Sequence, residues 1–363
     1  MALTDIDAQR LGNSVGDKLG NRNLIINGAM TVAQRGTSFT GVNATAYHCD
    51  RHQLYYQNSS AAFTVTQATD TPNGFGSSLK IDVTTADAST ASNEEIKLIH
   101  KIEGFNLQGT EKGTANAKKL TLSFYIKATK TGTYIVELFD RDNSRDISAS
   151  YTVSNTNWNR YTLTFPADTA GNAFDNNNAS SLEINWWLVA GSAVQGGSLN
   201  TAWRATADSG SATGQVNFAD NTANDWLITG VQLELGNTAT PFEHRSYGDE
   251  EMRCRRYYQQ YGGNTTHERI GNSYNHSSSQ ARVDVPLSPP MRSSPTLAVS
   301  AVNHFSIEHT SGSTASTNLV VDQASPRIAA INVSCSSGLT AGQGSHIMTN
   351  NNINARLKLS AEL

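Results

Sequence analysis

This sequence predicts an all-β protein: a large jelly-roll β-sandwich, then a short helical hinge and a smaller C-terminal β-sandwich. Three observations carry that expectation. Apolar residues alternate with polar ones in run after run, as in Leu120, Leu122, Phe124 and Ile126, and again in Leu182, Ile184, Trp186 and Leu188. A two-residue period puts one face of a strand into a core. Clusters of turn-forming residues separate the runs, such as Thr71-Pro72-Asn73-Gly74 and Asp175-Asn176-Asn177-Asn178. No helical period lies between them, so antiparallel sheets packed face to face fit better than a parallel sheet crossed by helices.

At 363 residues, two domains are expected. The boundaries fall at 1–22, an N-terminal docking segment; 23–245, the jelly roll; 246–263, a helical linker; and 264–363, the C-terminal sandwich. In residues 1–22, Ile6, Leu11, Val15 and Leu19 fall near helical spacing and Gly20 is placed to stop a short helix. Such a segment is too thin to fold alone, which suggests docking to a partner; a frayed tail is the alternative. Strands are expected from Leu24–Ala29 onward. The last strand of the jelly roll is Asp225–Leu235, where Leu227, Val231, Leu233 and Leu235 are spaced for one buried face and Gln232 and Glu234 for the other. Its length suits a jelly roll with long loops better than an immunoglobulin-type unit.

In the linker, Asp249 is a candidate helix cap, and Cys254, Tyr257, Tyr258 and Tyr261 would share one stripe before Gly262-Gly263 ends the helix. Beyond it, Val283, Val285 and Leu287 alternate, and Ile353, Ala355, Leu357, Leu359 and Ala361 form a last amphipathic strand. That core is short of large aromatics, so burial against copies of itself would help it.

Composition narrows function. A net charge of −4 gives no electrostatic case for nucleic-acid binding. No apolar run approaches membrane-spanning length, and Met1–Asn23 lacks the apolar centre of a signal peptide. Cys49, Cys254 and Cys335 show no metal or disulfide spacing. Gly12-Asn13-Ser14-Val15-Gly16 matches a nucleophile-elbow pattern but lacks the buried strand before it that the chemistry requires. No other catalytic set and no cofactor fingerprint stands out, so no enzyme activity is expected.

Two metal readings are weighed. His48, Asp50 and His52 would share one strand face and could hold a transition metal, against an ordinary polar face with Asp50 paired to a backbone group or to an Arg. Asp140, Asp142 and Asp146 resemble half of a calcium loop, but its glycine and distal Glu are missing and two arginines sit among the acids, so a solvated hairpin turn fits better. The most suggestive side chain is Trp187. With Trp186 on the buried face, Trp187 falls beside Glu183 and Asn185 on the polar face, and Tyr125 lies on the polar face of another strand. An aromatic plate flanked by amide and acid groups can hold a sugar ring. Packing beneath the loop 191–224, or against a neighbouring chain, is the bland alternative and explains Trp187 better.

Several stretches together resemble one family. Leu19 to Thr37 (LGNRNLIINGAMTVAQRGT), Tyr47-His48-Cys49-Asp50-Arg51, Ile228 to Gly236 with Pro241-Phe242-Glu243, and Arg253 to Tyr258 are similar, in this order, to a β-sandwich domain of tail-fibre and other virion structural proteins of tailed bacteriophages. His52 stands where that family usually has an aromatic. The resemblance covers about Leu19 to Tyr258. It implies a carbohydrate-binding-module-like jelly roll on a virion, as a homotrimer, docked to other virion proteins by its N-terminal segment and touching host cell-surface glycan. A capsid or tail decoration protein, or a glycan-degrading tailspike, are the alternatives.

Overall fold

The computed structural model describes residues 22–363. The expected docking helix and the Gly12–Gly16 pattern lie outside the described residues. The chain splits into two compact units, one ending at Glu250 and the other running Glu251–Glu362.

The first unit is built from β1 (Ser38–Val42), β2 (Ala46–Tyr47), β3 (His52–Gln57), β4 (Ala62–Ala68), β5 (Ser78–Thr85), β6 (Glu95–Glu103), β7 (Leu120–Ala128), β8 (Gly132–Asp140), β9 (Arg145–Val153), β10 (Asn159–Phe165), β11 (Ser180–Ala190), β12 (Arg204–Ala205) and β13 (Asp225–Leu235). They form a six-stranded sheet in the order β1-β4-β5-β13-β7-β10 and a seven-stranded sheet in the order β12-β9-β8-β11-β6-β3-β2. All of their ladders are antiparallel, as expected for a jelly roll. The alternation seen in sequence sets the layers: Leu122, Phe124 and Ile126 of β7 and Leu182, Ile184, Trp186 and Leu188 of β11 share one core. Phe124 meets the Trp186 ring edge-on at 6.0 Å between centroids. Each such large apolar side chain contributes roughly 1.5–3 kcal/mol by leaving water.

Two local expectations are corrected. In β13 the buried face changes phase. Trp226 and Ile228 enter the core before Gly230, and Val231 and Leu233 after it. Leu227 is buried outside that core, and Leu235 is exposed. The register to β7 shifts between Thr229 and Gln232, with Gly230 at φ 62°. An extra residue in one strand moves the inward positions by one. A side chain at Gly230 would also strike the rings of Phe75 and Tyr125, at 2.7 and 2.8 Å. The second correction is at Leu24–Ala29, which forms no strand. Asn27 and Met30 take left-handed backbone angles, and side chains satisfy much of the nearby backbone.

The second unit holds β14 (Tyr258–Tyr261), β15 (Arg269–Asn275), β16 (Gln280–Pro286), β17 (Thr296–Val299), β18 (Phe305–His309), β19 (Gly312–Ser325), β20 (Ile328–Cys335), β21 (Gly344–Thr349) and β22 (Leu357–Ser360). Strands β15-β16-β20-β19-β18-β21 close on themselves, and β14-β22-β17 form a three-stranded sheet. The smaller sandwich is thus joined along its edges, which removes unpaired strand edges there. Its core is made of small and aliphatic side chains around Phe305. The last strand is shorter than expected, and Ile353 is exposed.

The helix runs only over Tyr247–Arg255. Ser246, not Asp249, caps it: the Ser246 hydroxyl accepts from the Asp249 N–H at 3.2 Å. Asp249 and Glu250 sit in the first turn and Arg253 and Arg255 in the last, matching the helix dipole. Tyr258–Tyr261 is not a helical stripe but a strand, paired with β22 from Tyr258↔Ser360 to Tyr261↔Leu357.

Candidate functional site

The seven-stranded sheet turns one face to the core and the other to a cleft of about 260 Å³. Strand alternation and ladder register together place the cleft residues in rows. One row runs Tyr55, Lys97, Trp187; the next Gln53, Ile99, Asn185, Glu137; the third Lys101, Glu183, Phe139. The loop after β11 forms a wall through Val194, Ala207, Asp208 and Ser211.

The floor is polar and buried: Glu137, Asn185 and Glu183 are each at most 6% exposed. The Asn185 amide donates to Glu137 Oε2 at 3.0 Å, leaving Asn185 Oδ1 buried without a protein partner. Burial pushes the Glu137 carboxyl up from its usual range; Lys97 and the Asn185 hydrogen bond oppose that push. The cations of the cleft are paired inside it. Lys97 lies 2.7 Å from Glu95, Arg141 3.0 Å from Glu183, and Lys101 3.8 Å from Glu183. They also cover rings. The Lys97 ammonium is 4.3 Å from the Trp187 ring centre and 4.9 Å from that of Tyr55, and the Arg141 guanidinium is 5.8 Å from that of Phe139. The cleft therefore offers fixed donors and acceptors with little unbalanced charge, which suits a ligand rich in hydroxyls.

Of the residues singled out in sequence, Trp187, Asn185 and Glu183 do share this face. Trp187 is only 1% exposed and packs with Ile135, Val194 and Ala212 beneath the loop after β11. It is part of the floor rather than an open plate. Tyr125 does not join them. It sits on β7 in the other sheet, 5.4 Å from the Phe75 ring. Glu137, Lys97, Tyr55 and Phe139 were missed. Their outward alternation is visible in sequence, but their neighbours in the sheet are not.

The three acids of the calcium candidate are not brought to one point. Asp140 and Asp146 lie on opposite faces of the β8–β9 ladder, since Asp146 pairs with Phe139 and Asp140 with Arg145. Asp140 is held by Lys112 at 2.7 Å and by Asn143, while Asp146 is held by Arg204 at 3.1 Å. Asp142 accepts from the Asp175 N–H at 2.9 Å. The triad of His48, Asp50 and His52 also dissolves: His48 packs edge-on to Phe39, Asp50 pairs with Arg35 at 2.7 Å, and the His52 ring lies tilted against His100 at 4.9 Å between centroids. Among the described residues, no group of three His, Cys, Asp or Glu is placed to hold a metal ion.

Of the stretches that carried the family resemblance, 23–37, 47–51 and 228–243 are tied into one buried staple, not the cleft. Asn27 Nδ2 donates to the carbonyls of Val32 and Asp50, and its Oδ1 accepts from the Val32 N–H. The Asp50 carboxylate accepts from the Gln34 N–H at 2.6 Å. Asn23 donates to the Val231 carbonyl and accepts from the Leu233 N–H, tying the opening segment to β13. Gln232 accepts from the Glu243 N–H at 2.7 Å, and Arg245 donates to the carbonyls of Ile25 and Asn23. These motif residues satisfy backbone that no strand pairs.

No known family matches the chain in sequence, and no curated protein matches it. Among solved structures it is similar to a family 4 carbohydrate-binding module at 14% identity, covering 58% of this chain and 99% of that one, with a TM-score of 0.30. It is also similar to a family 30 module at 15% identity, covering 63% and 94%, with a TM-score of 0.30. A third is the family 11 module from Clostridium thermocellum, solved with a mixed-linked tetrasaccharide, at 10% identity, covering 58% and 99%, with a TM-score of 0.28. The sandwich described above rests on this chain's own ladders and not on those likenesses.

Proposed function

We propose that the first unit is a non-catalytic glycan-binding module of a phage virion appendage, and that a host-surface sugar chain lies in the cleft of the seven-stranded sheet. The observation that carries this reading is the Glu137–Asn185 pair on the cleft floor, with Asn185 Oδ1 lacking a partner. A buried acceptor without a partner costs roughly 1–3 kcal/mol, and a ligand hydroxyl donating to it would recover that. Tyr55 and Phe139, both partly exposed, border the same floor and supply apolar surface for the C–H faces of a pyranose, with Trp187 buried beneath them.

The virion setting is supported by the sequence resemblance between Leu19 and Tyr258. In this reading residues 1–22 dock to other virion proteins and the chain assembles as a homotrimer. Each site binds weakly, near millimolar or about −4 kcal/mol, and three sites per trimer raise the effective affinity.

A second reading is favoured by the cations over Trp187, Tyr55 and Phe139. If they seal the cleft, the protein decorates a capsid or tail without touching a receptor. Binding of the purified chain to host cells and to their extracted surface polysaccharide separates the two. Asn185→Ala is expected to lower binding at least tenfold while the protein stays folded. A folded Asn185→Ala that binds as the unaltered chain does would overturn the cleft as the site, and failure of the unaltered chain to bind would favour decoration.

A further inference from the structure

The charge pairing of the cleft points to a ligand class within the proposed glycan reading, on which this inference rests. Cations on a binding face attract acidic polymers only when their charge is free to act. Here each faces a carboxylate: Lys97 meets Glu95 at 2.7 Å, and Arg141 and Lys101 share Glu183 at 3.0 and 3.8 Å. Lys97 and Lys101 are little exposed, like the Glu95 and Glu183 they meet, so solvent screens those two pairs less than it would on an open surface, whereas Arg141 is half exposed. Glu137 adds a further acid on the floor, and Asp208 another on the wall. An incoming uronate or sulfate would meet two buried carboxyl groups and no cation without an acid partner in the cleft. A neutral hexose would meet instead a donor–acceptor floor and the open acceptor Asn185 Oδ1.

We propose that the cleft selects uncharged glycan chains and excludes uronic-acid-rich and sulfated ones, and that Glu183 sets this selectivity by neutralising Arg141 and Lys101. Glu183 is a specificity-determining residue in this account. Replacing it with its neutral isostere takes the acid from Arg141, while Lys101 keeps the Leu363 oxygen at 2.9 Å, at little change in volume.

The test is affinity electrophoresis of the full chain in gels holding a neutral glucan or mannan, alginate, or a sulfated galactan, at low and at high salt. The unaltered chain is expected to be retarded by a neutral polymer, equally at both salt levels, and not by the acidic ones. Glu183→Gln is expected to gain affinity for the acidic polymers by about fivefold or more at low salt and to lose that gain at high salt. Arg141→Gln in the same background should cancel part of the gain, which a merely loosened fold would not do. Retardation of the unaltered chain by alginate or sulfated galactan, falling with salt, would overturn the selectivity and leave the glycan reading standing. A Glu183→Gln chain that gains nothing would remove Glu183 from that role. No retardation by any polymer would overturn both readings.

Discussion

At the scale of single residues, the first unit buries several charged side chains among its apolar ones. Lys112 is the sharpest case. Its ammonium lies 2.7 Å from Asp140, 3.3 Å from Asp168 and 2.7 Å from the Asn172 carbonyl, with all three side chains buried. Lys112→Met leaves the buried Asp140 carboxylate without its cation, while Asp168 keeps Arg145 at 2.7 Å. A loss of about 3–5 kcal/mol is expected, read as a lower urea midpoint. Histidine sets the acid limit. Burial, and then Arg51, lowers His52 from 6.5 to about 4 against the pull of its backbone hydrogen bond; burial and Arg35 lower His48 to about 4; and burial holds His100 well below 6.5. The unfolded chain thus binds more protons between pH 6.5 and 4, so stability falls as pH drops through that window. His52 alone accounts for about 3 kcal/mol of that loss. Stability measured from pH 7 to 4 should show the decline, and His52→Gln should flatten its slope. A slope unchanged in the variant would contradict the assignment. In sequence, His48 and His52 resemble ligands because alternation cannot tell buried ring packing from a metal face. Trp187 was legible as a polar-face tryptophan, but the loop that covers it was only one of several candidates.

Among the elements, the strands that alternate without a fault were the legible ones. Leu120 to Ile126 and Leu182 to Leu188 enter the core as their spacing requires. What the pattern hides is an inserted residue. Gly230 shifts β13 by one position, so a uniform period assigns Leu227 and Leu235 to a face that they do not share. Gly230→Ala places a Cβ at a left-handed backbone position and against two rings. A cost of about 2 kcal/mol or more is expected from thermal unfolding. A neutral effect would mean that the bulge relaxes freely. The opening segment failed for a different reason. Leu24–Ala29 is apolar, but Asn23, Asn27 and Asp50 supply side-chain hydrogen bonds in place of a ladder, and apolarity alone cannot distinguish the two. The helix was overextended because Tyr258 and Tyr261 keep helical spacing from Cys254 while pairing with β22, a partner about a hundred residues away that local spacing does not report.

For the whole molecule, two features bear on assembly and attachment. The second unit has Phe305 as the large aromatic of its core, and the rest of that core is aliphatic or small. A homotrimer, as proposed, would bury further surface there. Mass photometry at micromolar concentration should then give three times 39.0 kDa, and a monomer would remove the trimer from the account. The cleft, by contrast, needs no second copy, since its rows come from one sheet of one chain. The most direct test of the central claim is a co-crystal structure with an oligosaccharide cut from a polysaccharide that the protein retains. The expected result is a sugar ring on the seven-stranded sheet, with a hydroxyl within hydrogen-bond distance of Asn185 Oδ1 and another near Glu137. Sugar bound to the six-stranded sheet or to the second unit, with the cleft empty, would contradict it.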